Sequence, residues 1–116
     1  MIQTNQPIFI QLAETIRDKI LSGEYKEDER IPSARDIAIE VEVNPNTVVK
    51  AFDELQRDDL IYNKRGMGYF VSREAKEKIL TIRLVRLEKE LIPALLREGE
   101  LLGLSRDELI KLILQS

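Results

Sequence analysis

Two helix starts eleven residues apart constrain this chain more than any other feature of its sequence. Ser33 is a good N-cap with Asp36 three residues on, in the place of a capping-box acid. Asn44 is a second N-cap, with Pro45 at the first helical position, where its missing N–H costs nothing. A helix begun at Ser33 therefore has room for only two turns or so before the chain must turn and start again. Ile37, Ala38 and Val41 share one face of that short helix, and Val43 follows after a break at Glu42. Val48, Ala51, Phe52 and Leu55 form an apolar stripe on the next, read from about Pro45 to Asp58. Two such helices joined by three or four residues predict a helix-turn-helix. Small Ala38 lies where the helices cross closely, Ile37 and Val41 are expected to point into the core, Val43 to plug the turn, and Val48 and Ala51 to hold the second helix against the first. Glu42 stands where the turn favours positive φ, at a cost of roughly 1 kcal/mol for a residue with a side chain.

On the N-terminal side, Ile8, Leu12, Ile16 and Ile20 recur at spacing four after Pro7, and Gly23 supplies a stop. They predict an amphipathic helix over roughly 7–22, with Glu14, Arg17, Asp18 and Lys19 toward its wet side. The five consecutive charges from Lys26 to Arg30 read as a solvated loop, after which Ile31 re-enters the core and Pro32 breaks any helix arriving from the left. On the C-terminal side, Leu60-Ile61-Tyr62-Asn63 and Tyr69-Phe70-Val71 are β-rich runs flanking Lys64-Arg65-Gly66-Met67-Gly68. This is a hairpin with a basic, glycine-containing tip. Gly66-x-Gly68 lacks the strand-before, helix-after context of a dinucleotide loop.

Composition narrows the chemistry. The 116 residues include no cysteine and no histidine, which removes disulfides, thiol nucleophiles, imidazole acid/base work and thiolate or imidazole metal sites. No cofactor, no metal and no catalytic residue are expected, and the chain does not read as an enzyme. Apolar runs are short, and Met1 to Pro7 lacks a basic region followed by an apolar core. Neither a membrane span nor a signal peptide is expected, and the location inferred is cytoplasmic. The net charge of −3 is uneven: up to Ser72 there are 9 Lys/Arg against 13 Asp/Glu, and after it 9 against 8. A nucleic-acid partner for the first part then demands that its cations cluster on one face.

The combination of Arg30-Ile31-Pro32-Ser33-x-Arg35-x-Ile37-Ala38, Val43-Asn44-Pro45-Asn46-Thr47-Val48, Leu60-Ile61 and Arg65-Gly66-x-Gly68-x-Phe70-Val71 resembles the winged helix-turn-helix of GntR-type bacterial transcriptional regulators over roughly residues 8–72. The short C-terminal extension, with Leu101-Leu102-Gly103-Leu104-Ser105 followed by Glu108-Leu109, is similar to the YtrA subfamily. That resemblance implies a homodimeric repressor that binds double-stranded DNA, often of transport operons, with a small helical dimerisation segment in place of a large effector-binding domain. The DNA-binding residues it points to are Ser33, Arg35, Pro45, Asn46, Thr47, Lys50, Lys64, Arg65, Gly66 and Gly68. Arg35, Asn46, Thr47, Lys50, Lys64 and Arg65 are expected on one side, and Glu14, Asp18, Asp53, Asp58 and Asp59 away from it. The chain departs from the family pattern at Glu42, at Asp59, where glycine is usual before Leu60-Ile61, and at Val49, where other branches carry a basic residue.

From Arg73 on, Leu80, Leu84, Leu87, Leu91 and Leu95 recur at spacings of four, three, four and four, a seam of the kind that pairs helices, widened by Val85, Ile92 and Leu96. Burial against a second copy of the chain is the simplest way to cover so broad an apolar face, ahead of a helical hairpin folded on a monomer. Pro93 predicts a kink or break that pushes Ile92 out of helical geometry. Gly99 or Gly103 ends that helix, and Ser105-x-x-Glu108 is a capping box opening a last one through Leu109, Ile110, Leu112 and Ile113. The expected architecture is mostly α with a small β-hairpin wing: a winged helix-turn-helix over 1–72 and a helical dimerisation segment over 73–116, with little volume for an effector pocket. The competing reading is a winged-helix module whose second helix-turn-helix element meets protein instead of DNA.

Overall fold

The computed structural model describes residues 6–116, so most of the Met1 to Pro7 stretch read for a leader lies outside the described residues. Among the described residues, six α-helices and one antiparallel hairpin follow one another as α1 (Ile8–Ser22), α2 (Ala34–Val41), α3 (Pro45–Arg57), β1 (Ile61–Lys64), β2 (Gly68–Val71), α4 (Ala75–Arg86), α5 (Ile92–Leu101) and α6 (Arg106–Gln115), with a π-helical turn, Leu87–Leu91, between α4 and α5. The chain divides into two compact units, one ending at Leu80 and one running over Thr81–Ser116. The first reaches past Ser72 because Ala75 and Ile79 of α4 are buried in its core.

That core is built from the stripes visible in the sequence. Leu12, Ile16 and Ile20 of α1 and Val48, Phe52 and Leu55 of α3 are buried, with α1 and α2 each packed on α3. Phe52 meets Tyr69 of β2 with ring centroids 4.7 Å apart, which ties the wing to the helices. Pro7 caps α1, its carbonyl accepting from the N–H groups of Ile10 and Gln11 at 3.1 and 3.2 Å. Two expected core residues are not in it. Ile8, at the very start of α1, is 59% exposed, while its neighbour Phe9 is the one that packs against the core. Val41 is 42% exposed: α2 has only two turns, and the Val43 N–H donates back to the Ala38 carbonyl at 3.0 Å. That bond folds Val43 over the end of the helix and gives it the core-facing place expected of Val41.

The charged run Lys26–Arg30 has exposed side chains, as a solvated loop should, but its backbone is ordered into the wing. The Asp28 N–H donates to the Val71 carbonyl at 2.8 Å, the Val71 N–H to the Glu29 carbonyl at 3.0 Å, and the Ile31 N–H to the Tyr69 carbonyl at 2.9 Å. The outer edge of β2 would otherwise present unpaired backbone groups, so the segment serves as a third edge to a two-stranded sheet.

In the second unit the expected break at Pro93 is absent. Ile92 keeps helical angles (φ −66°, ψ −46°), and its N–H donates to the Leu87 carbonyl, five residues back. A proline inside a regular α-helix collides with the carbonyl four residues before it; the wider π-turn relieves that contact and keeps the backbone helical. Helix α5 runs on through Gly99 and ends at Leu101, with Gly103 in a left-handed conformation beyond it. Gly99 is instead the point where α5 and α6 meet: a Cβ there would lie 2.6 Å from Leu109 Cδ1. The capping box forms as read, the Ser105 N–H donating to Glu108 Oε1 at 2.9 Å and the Glu108 N–H to Ser105 Oγ at 3.1 Å. No helix among the described residues is long and apolar enough to cross a membrane.

Candidate nucleic-acid interface

The helix-turn-helix takes its shape from its caps. Ser33 Oγ accepts from the Asp36 N–H at 3.1 Å and starts α2, leaving Arg35 exposed in its first turn. Glu42 closes α2 in the left-handed region (φ 57°, ψ 51°), the conformation the turn requires. Asn44 Oδ1 then accepts from the Asn46 N–H at 2.8 Å, and Pro45 opens α3. Asn44 is thus the cap, and the amide side chain of Asn46 is left for other work. With Val48, Ala51, Phe52 and Leu55 buried, the opposite face of α3 presents Asn46, Val49, Lys50 and Asp53, all exposed, with Thr47 half-buried at the rim. Asp53 was expected away from the cations; helical periodicity puts it on the same exposed stripe, one turn beyond Lys50.

The wing is a short hairpin in the register Ile61↔Val71 to Lys64↔Gly68, closed by the Met67 N–H donating to the Lys64 carbonyl at 2.8 Å. Arg65 and Gly66 are exposed at its tip, and Lys64 Nζ lies 5.1 Å from the centre of the Phe70 ring. Phe70 in turn stacks on Tyr62, centroids 5.7 Å apart. Gly68 has φ +106°, and Arg30 Nε occupies space 2.8 Å from where a Cβ would stand.

The charges sort by element. Among the described residues no ion pair involves Arg35, Lys50, Lys64 or Arg65. Two of the acids expected away from the cations are engaged elsewhere: Arg17 pairs with Glu14 at 3.0 Å and with Asp58 at 2.7 Å, joining α1 to the end of α3. Arg73 pairs with Asp28 at 3.1 Å, and that hydrogen bond holds its guanidinium above the ordinary arginine range. No group of His, Cys, Asp or Glu side chains among the described residues is placed to hold a metal ion. Ser33, Arg35, Pro45, Asn46, Thr47 and Lys50 thus lie on the helix-turn-helix and Lys64, Arg65, Gly66 and Gly68 on the wing. Sequence reasoning passed over Arg30; its only signal was its place in the quoted motif, since contact with Gly68 depends on strand pairing across forty residues.

Residues 10–71 match the gntR family of bacterial regulatory proteins. The chain belongs to the GntR family. The resemblance read from the motifs is therefore borne out, and the chain is a regulatory protein, not an enzyme. The GntR fold is a winged helix-turn-helix, mostly helical with a two-stranded wing. The chain is 32% identical over 89 residues to the HTH-type transcriptional repressor YtrA of Bacillus subtilis (strain 168), which covers 77% of this chain and 68% of that protein. Its structure is similar to a GntR family transcriptional regulator from Listeria monocytogenes, with a TM-score of 0.77, 25% identity and 99% of both chains covered. It is also similar to AraR(DBD) in complex with operator ORR3, with a TM-score of 0.58 and 28% identity over 62% of this chain and 87% of that one.

Proposed function

We propose that this chain is a sequence-specific DNA-binding transcriptional repressor that acts in the cytoplasm as a homodimer on an inverted-repeat operator. The observation that carries the reading is the set of exposed cations without ion-pair partners among the described residues, Arg35 on α2, Lys50 on α3, and Lys64 and Arg65 on the wing. An acidic total charge is compatible with phosphate binding once those four are free and the acids Glu14 and Asp58 are held by Arg17. In this reading α3 enters the major groove, with Asn46 and Lys50 at base edges and Ser33, Arg35, Pro45 and Thr47 around them; the wing, with Lys64, Arg65, Gly66 and Gly68, lies along the backbone. The operator-bound AraR(DBD) supports it by its shared architecture.

Dimerisation is assigned to the segment from residue 73 on. Leu80, Leu84, Leu87, Leu91 and Leu95 are all exposed in the single chain, at 40–55%. An apolar row of that length facing water favours a second copy over the monomeric hairpin, in which α5 and α6 bury only Gly99 against Leu109. Selection of bound duplexes from random DNA tests function class and site together. The expected product is an inverted repeat with half-site centres about one helical turn, roughly 10 bp, apart. Recovery of single half-sites with no gain from a second, or binding insensitive to salt, would turn the reading toward a protein-interaction module.

A further inference from the structure

Arg30 lies in the segment that runs from the edge of the hairpin into α2. Its backbone bridges to Phe70 of β2, and three residues later Ser33 caps α2. Its guanidinium lies against the bare Cα of Gly68, with Nε 2.8 Å and Nη2 3.5 Å from the position a Cβ would take. The site is an open groove of about 290 Å³ lined by Arg30, Ile31, Pro32, Ser33 and Asp36. Arg30 sits in an acid-rich stretch and pairs with none of it: Asp28 is taken by Arg73, and the Glu27 carboxylate accepts from the Glu74 N–H at 3.3 Å. Among the described residues no ion pair joins Arg30 to Asp36 either, although both line the groove. Ser33, whose oxygen accepts from Asp36, keeps its hydroxyl proton to donate.

We propose that Arg30, seated on Gly68 at the tip end of β2, binds a DNA backbone phosphate and fixes the wing and α2 in one register on the duplex. The proposal rests on the reading of this domain as a DNA binder and adds a contact to it. A guanidinium already packed against backbone loses little freedom when it meets an anion, and its fork suits phosphate oxygens. A contact of this kind positions the protein without reading bases. The groove's acid, Asp36, places the phosphate on the Arg30 and Ser33 side.

The test is a salt titration of binding, by fluorescence anisotropy, to the selected operator duplex and to a random duplex, for the parent, Arg30→Ala, Arg30→Lys and Arg65→Ala. Arg30→Ala should weaken both duplexes by the same factor, roughly fivefold at 0.15 M salt, and lower the slope of log K against log salt by about 1. Arg30→Lys should keep the slope. Circular dichroism on each variant establishes that the domain is folded. Unchanged affinity and slope for Arg30→Ala beside a weakened Arg65→Ala would overturn this proposal and leave the DNA-binding reading intact. A loss confined to the operator, with the slope unchanged, would overturn it too, since that is the mark of a base contact. A parent that binds neither duplex sinks the DNA-binding reading itself.

Discussion

Replacing Glu42 by glycine should stabilise the helix-turn-helix. Glu42 holds φ 57° and ψ 51°, a left-handed conformation that costs an L-residue about 1–2 kcal/mol. Its side chain is exposed, and no hydrogen bond or ion pair of its carboxylate is present among the described residues, so nothing in the native state offsets that cost. Glycine removes the strain but gives the unfolded chain more freedom, which takes back about 0.4–1 kcal/mol. The difference leaves Glu42→Gly more stable by about 0.5–1 kcal/mol. For a compact unit ending at Leu80 this is a rise in Tm of about 3–6 °C. Asp59, at φ 59°, should gain less from the same change, because a short aspartate visits the left-handed region more readily than glutamate. Thermal and urea unfolding followed by circular dichroism measure both, with the urea m-value unchanged. A Tm for Glu42→Gly equal to or below the parent's would refute the reasoning: the glutamate would then be supplying a native contact worth as much as the strain.

Arg35→Ala and Lys50→Ala should each weaken operator binding by about 1–3 kcal/mol, while Arg65→Ala weakens binding evenly across sequences; anisotropy titrations in which all three match the folded parent count against a DNA-reading face. Leu87→Lys or Leu91→Lys should yield monomers with a folded N-terminal unit and much weaker operator binding, read by sedimentation; two variants that stay dimeric remove the seam from the interface. The Glu108 carboxyl is held below the usual glutamate range by the Ser105 N–H and then the Ser105 hydroxyl. Because its folded pKa is depressed, its stabilising effect on α6 is complete above the usual range and disappears as pH falls through the depressed value. The protection of α6 amides, taken relative to their intrinsic exchange rate at each pH, should fall over that acid limb in the parent and lose the dependence in Glu108→Gln; equal protection profiles contradict the assignment.

The caps at Ser33, Asn44 and Ser105 and the stripes on α1 and α3 were legible because each is local: a side chain, the N–H two or three residues on, and a 3.6-residue period. What escaped the sequence is what depends on distant segments. The Lys26–Arg30 run looks like loop in any window, and only the free edge of β2, some forty residues later, ties its backbone to the wing through isolated bridges. Val41 and Val43 were both apolar candidates for the core, and the Val43 to Ala38 bond at the end of a two-turn helix decides between them. Proline is a helix breaker in an α-helical register, and the π-turn before Pro93 is a change of register that no single residue announces. At the candidate interface, residue types marked α3 and the wing tip, whereas Arg30 needed the pairing of its segment with the wing to come into view.

The π-turn at Leu87–Leu91 has a geometric consequence for whatever covers the apolar row. One turn with bonds five residues long amounts to one residue inserted into the helical count, and each residue of an α-helix rotates the surface by about 100°. Spacings that look unbroken along the chain are therefore out of phase across it. The continuation of the line through Leu84 and Leu87 passes, beyond the turn, to Ile92 and Leu96, one position later than Leu91 and Leu95. A mating surface made of straight heptads meets one half of this row and misses the other, so the partner needs a matching offset. A second copy of the same chain carries that offset at the same height in an arrangement where the two turns face each other.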